Sequence, residues 1–181
     1  MIKMKKGNRT VSLNICFTAV FAALSCVCTF ISVPLPFGYF NLGDVFVLLS
    51  AWLLGPVLGP LAAGVGTALA DILMGYAVYA PATLVIKALV AFAAFWIYRL
   101  TKPFFKREGL DFIPRGISAV IGESIMVLGY FFFEAVVLSY GVGATASIFG
   151  NCLQAVAGSV GSVVLVTAIY SSKLSKRYFD K

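Results

Sequence analysis

Long apolar runs punctuated by proline and glycine fill most of this chain, and polar residues are confined to a few short breaks and a few isolated positions. A helix needs roughly 20 apolar residues to cross a hydrocarbon core about 30 Å thick. The first run, 11–33, ends at Pro34 and Pro36, and the next, 41–54, is stopped by Gly55-Pro56. Four more follow at 60–75, 81–98, 117–138 and 147–170. The pattern predicts an all-α membrane protein of six transmembrane helices.

Composition removes other classes. With 61% hydrophobic and 12% charged residues in a chain of 181, a soluble domain is excluded. The whole of 1–181 reads as a single membrane domain, with no room for an added soluble catalytic domain. The net charge of +7 raises nucleic acid as a partner only until the basic residues are located. Lys3, Lys5, Lys6 and Arg9 lie in a tail, 1–10. Arg99, Lys102, Lys106, Arg107 and Arg115 lie in one loop, 99–115, and Lys173, Lys176, Arg177 and Lys181 in a second tail, 171–181. The opposite connections, 34–40, 75–81 and 139–147, carry no Lys or Arg. Cationic flanks mark the cytoplasmic side, so both termini are expected inside and no nucleic-acid partner is implied. The first apolar run lacks a small-residue cleavage site and reads as a permanent span.

Chemistry of the catalytic kind has little to build on. There is no histidine, no Walker, GxSxG or HExxH motif, and Cys16, Cys26, Cys28 and Cys152 sit in apolar segments without zinc spacing. No enzyme, metal or cofactor is expected.

The isolated polar residues are the candidates for function, because an ionisable group inside a span costs roughly 2.5–3.5 kcal/mol on insertion scales. Counting from the ends of the runs places Asn41, Asp44, Asp71, Lys87, Glu134, Asn151 and Gln154 in the outer half, with Tyr76 and Tyr79 in the turn above Asp71. Residues of five spans at similar depth predict one outward-facing cavity. Other roles stay open: Asp44 as a helix cap, Asp71 with Lys87 as a structural ion pair, the tyrosines as an aromatic belt. A further open role is that of interhelical bonds for Asn151 and Gln154. Glu123 counts as deeper, in the inner half, structural or a contact to another subunit. In the first run Ala19, Ala22 and Ala23, beside Thr18, form small-residue strips where another helix can approach closely.

The stretches YFNLGD, GPVLGPLAAGVGTALAD and GYAVYAPATLVIKAL, with Gly150-Asn151 and Gln154 later, resemble the S component of energy-coupling factor (ECF) vitamin transporters, in the riboflavin- or pyridoxine-type branch. The resemblance implies a six-helix, ECF S-component-like subunit in a bacterial cell membrane that binds a vitamin or vitamin-like heterocycle from outside. It further implies a transmembrane coupling protein and two cytoplasmic ATPases as partners, with Ala19 and Ala23, and Ala22 beside them, as the contact to the coupling protein. Two readings of other classes remain beside it. One is a self-sufficient secondary transporter using the intramembrane Asp, Glu and Lys, and the other is a non-transport membrane assembly protein.

Overall fold

The computed structural model describes residues 8–35, 38–105 and 110–171. Lys3, Lys5, Lys6, Lys106, Arg107 and the basic residues from 173 onward, on which the expected orientation rests, lie outside them. The chain runs α1 (Asn8–Phe30), a hairpin of β1 (Ser32–Leu35) and β2 (Gly38–Asn41), α2 (Gly43–Leu73), α3 (Ala80–Thr101), α4 (Phe112–Phe132) and α5 (Thr145–Ser171). A wide turn, Phe133–Val137, extends α4. Among the described residues, five helices are long and apolar enough to cross a membrane.

The difference from the expected six lies in α2, which holds two of the expected runs. Gly55 breaks it with φ 89° and ψ −170°, a conformation side-chain-bearing residues avoid. Ser50 Oγ donates to the Gly59 carbonyl at 3.1 Å. Residues nine apart in an unbroken helix would be separated by about 13 Å, so the chain doubles back at Gly55. Arms 43–54 and 56–73 therefore lie against each other. The second arm starts at Pro56 rather than after Pro60, because a proline at the first helical position gives up only an amide that has no partner there.

The first arm is the centre of the molecule. Val47, Leu48, Leu49, Ala51, Trp52 and Leu53 are all buried, so it is enclosed on every side, as an all-round apolar helix must be. Val90, Ala91 and Ala94 of α3, Ala119 and Met126 of α4 and Val166 of α5 complete the core. Close approach replaces hydrophobic driving force in such bundles. A Cβ built on Gly66 of the second arm would lie 2.3 Å from the Ala22 carbonyl oxygen of α1.

Two local expectations are corrected. Residues 34–35 and 38–40 of the connection expected as a loop are strand residues of an antiparallel hairpin, which pairs Ser32 with Asn41 and Leu35 with Gly38. Pairing satisfies backbone groups that would be costly to leave open near lipid. Arg115, expected in a hydrophilic loop, is inside α4 and 3% exposed. It stacks over Tyr98 at 4.6 Å, Tyr170 at 4.9 Å and Trp52 at 5.3 Å, and its Nε donates to Asp111 at 2.7 Å. Burial pushes the Asp111 carboxyl up, but Arg115, joined by Tyr98 and Lys102, holds it below the usual carboxylate range.

Gly66→Ala should destabilise the bundle by about 1–3 kcal/mol, since backbone has to move to admit the methyl. Gly116→Ala, in α4 with nothing within 4 Å of the new Cβ, should be neutral or stabilising by up to about 1 kcal/mol. Thermal unfolding of the two purified variants in the same detergent compares them. Equal melting temperatures would show that α1 does not bear on α2 as described.

Candidate functional site

Four of the expected polar side chains form one hydrogen-bonded chain. Asn41 is the last residue of the hairpin's second strand, and just ahead of α2 its Oδ1 accepts from the Gly43 amide at 2.9 Å. Its Nδ2 donates to Gln154 Oε1 of α5 at 3.0 Å. Gln154 Nε2 donates to Asp44 Oδ2 at 2.5 Å, and Asp44 Oδ1 accepts from Lys87 Nζ of α3 at 2.5 Å. Lys87 also reaches Met126 Sδ of α4 at 2.8 Å and lies 5.5 Å from the centre of the Tyr130 ring. Asn41, Asp44, Lys87 and Gln154 are all at most 5% exposed. The Gly43 amide is thus met by Asn41, and Asp44 is left to pair with Lys87 while its charge faces the positive end of the helix dipole.

Asp71 was one of two partners the sequence offered Lys87, and the ammonium bonds Asp44. Asp71 is buried near the end of the second arm and acts electrostatically on the Tyr130 phenol. That phenol shares a 2.9 Å hydrogen bond with Thr83 Oγ1. Glu134 belongs to a separate group nearer the end of the bundle. It accepts from Tyr79 OH at 3.5 Å and, closely, from Ser147 Oγ. Burial, then the charge of Glu134 and the nearby Tyr140, pushes the Tyr79 phenol far above its ordinary value. Tyr76 is exposed in the turn after α2, and Asn151 is half-buried one turn before Gln154. The nine candidates therefore divide into the central chain, the rim pair Tyr79 and Glu134, Asp71 with Tyr76, whose amide donates to the Asp71 carbonyl at 2.8 Å, and Asn151.

Glu123 corrects the depth count. A Cβ on Gly158 of α5 would lie 2.7 Å from Asp44 Cβ and 3.5 Å from Glu123 Oε1. The carboxyl expected to lie apart, in the inner half, is a neighbour of Asp44. The reason is that the first arm of α2 is short, about 18 Å by its helical rise. It begins below the ends of α4 and α5, so Asp44 sits deeper than its place at a helix start implied. A usable signal was present: Glu123, Met126, Tyr130 and Glu134 fall at i, i+3, i+7 and i+11, one face of α4. Met126, Tyr130, Thr83 and Ser147 were missed because such residues are unremarkable in an apolar run.

The small-residue strip divides as well. Ala22 faces the bundle against Gly66, whereas Ala19 and Ala23 are exposed on the outer face of α1.

The model for the S component of ECF-type riboflavin transporters matches residues 10–171. An uncharacterized protein in a gap 3′ region of Pyrococcus woesei is 36% identical over 130 residues, 72% of this chain and 81% of the relative. Among solved structures, the S component of a bacterial ECF transporter aligns with a TM-score of 0.71 at 23% identity, covering 89% of this chain and 97% of that one. The S component for biotin of an ECF-type ABC transporter gives 0.66 at 16%, over 97% and 100%. At those identities the two structures share the fold. The chain belongs to the family of S components of ECF-type riboflavin transporters, and is an integral membrane subunit for vitamin transport.

Lys87→Met should destabilise the protein by about 3–5 kcal/mol, because it leaves the Asp44 charge buried without its ammonium. The double variant Asp44→Asn with Lys87→Met should recover most of that loss. A thermal-unfolding cycle over the four proteins checks this, and additive losses would show that the two side chains do not depend on each other.

Proposed function

We propose that this S component captures a riboflavin- or pyridoxine-like heterocycle from outside the cell and passes it inward with a coupling protein and two ATPases. The observation that carries this is the buried chain from Asn41 through Gln154 and Asp44 to Lys87. A set of amides, a carboxylate, an ammonium and nearby Tyr130, drawn from five elements, is costly to place in lipid and suited to a flat ligand with several donors and acceptors. Asp71, Tyr76, Tyr79, Glu134 and Asn151 extend the set towards the outer mouth. In this reading the two arms of α2 count as separate crossings, the single domain crosses a bacterial plasma membrane six times, and both termini lie in the cytoplasm.

One observation favours a second reading. A buried ion pair with another carboxyl beside it is also what a proton- or ion-coupled transporter uses. The two differ in what drives uptake. Titration of the purified chain with riboflavin and pyridoxine should give tight binding without any partner. Uptake of the same compound into cells should require the ATPases. Uptake that persists without them, and collapses with the proton gradient, would favour the second reading.

The outer face of α1 gives a sharper test. Ala19→Trp or Ala23→Trp should abolish uptake while ligand binding by the purified subunit stays within a few-fold. Ala22→Trp should instead disturb the bundle, because that residue already meets Gly66. Loss of binding together with uptake at Ala19 or Ala23 would assign the strip to internal packing, and survival of both would move the partner elsewhere.

A further inference from the structure

At the end of α3 remote from Lys87, cations and large apolar side chains share one short stretch. Arg99 lies about 18 Å beyond Lys87 by helical rise, so nothing there belongs to the buried chain. Trp96 is set edge-on against Phe92 and Phe95, its ring centre 6.3 and 5.5 Å from theirs. The Arg99 guanidinium lies over Trp96, 5.5 Å from the ring centre. Around them Leu100 is 66% and Phe104 83% exposed. Lys102 is exposed too, but its Nζ is engaged: it donates to Tyr98 OH at 2.9 Å and lies 3.6 Å from Asp111. The other Asp111 oxygen accepts from Arg115 at 2.7 Å. Among the described residues no carboxylate is left within ion-pair distance of Arg99.

A guanidinium offers five N–H donors in a fixed plane, and seating it on an indole face uses none of them. Such a fork matches the oxygens of a phosphate. Leu100 and Phe104 decide which kind of phosphate. Apolar side chains this exposed are costly in water, and they flank the cation at the end of a span, where acyl chains meet headgroups. A soluble phosphate gains nothing from them, whereas a phospholipid covers them with its chains while its headgroup meets Arg99. Charge selects the headgroup. The stretch 99–115 holds five Lys and Arg against Glu108 and Asp111, and a zwitterionic lipid brings its own cation to compete with them.

We propose that this end of α3 is a binding site for an anionic phospholipid. Arg99 bonds the headgroup phosphate, Lys102 adds charge, and Leu100 and Phe104 lie along the acyl chains.

Trp96 reports on the site directly. The chain has two tryptophans, and Trp52 is 4% exposed in the core whereas Trp96 is 39% exposed beside Arg99. The full chain is reconstituted in phosphatidylcholine vesicles, and its fluorescence is quenched by phosphatidylglycerol or by phosphatidylcholine brominated on the acyl chains. Phosphatidylglycerol should bind about fivefold more tightly at the quenched site, the effect expected of one cation near an anionic surface. Added salt should shrink that difference. Arg99→Gln should bring the two lipids within about twofold of each other, while Lys102→Gln, whose ammonium Asp111 already shares, should keep most of the difference. Equal quenching by both lipids in the unsubstituted protein overturns the site, as does a preference that Arg99→Gln leaves intact. A preference that persists in Trp96→Phe places the lipid elsewhere on the bundle and overturns it too. If Arg99→Gln is quenched like the unsubstituted protein but loses uptake in cells, a protein partner holds the guanidinium and the lipid site is overturned.

Discussion

The ion pair between Asp44 and Lys87 constrains everything around it. Two charges withdrawn from water are stable only if their remaining hydrogen-bonding capacity is met and their geometry is held, and a surrounding bilayer makes the requirement stricter. Each neighbour of the pair supplies part of that. Gln154 occupies the second oxygen of Asp44, and Asn41 holds Gln154 while bonding the Gly43 amide at the start of the helix on which Asp44 sits. Met126 and the face of Tyr130 receive the ammonium. The hairpin of β1 and β2 serves the same demand, because it delivers Asn41 to the start of α2.

Packing serves that geometry. The arm carrying Asp44 has to be enclosed on all sides, which leaves no face for lipid and so requires five other segments around it. The turn at Gly55 folds the second arm back against it, and Gly66 lets α1 lie close behind that arm. Gly158 does the equivalent beside the charges: any side chain there would strike Asp44. α1, by contrast, contributes little burial and leaves Ala19 and Ala23 uncovered.

Much of this was legible in the sequence, for a physical reason. Against an apolar background a charge must be compensated, so Asn41, Asp44, Lys87 and Gln154 stand out as members of one site without any coordinates. The breaker Gly55-Pro56 announced a turn just as clearly. What failed was distance counted along helices from a membrane surface assumed flat. That assumption set Glu123 apart from Asp44, because it took every helix to begin at the same level. The pairing of Lys87 was left open for a related reason. Asp71 lies on the segment next to Lys87 in sequence, but the central position of the first arm puts Asp44 nearer. The division of Ala22 from Ala19 and Ala23 needed the rotation of α1, which a strip of small residues does not specify.

A site closed by its own hydrogen bonds poses a question for ligand capture. Asp44, Gln154 and Asn41 already bond to protein, so a ligand that addresses them must break those bonds and gains only the difference between old and new partners.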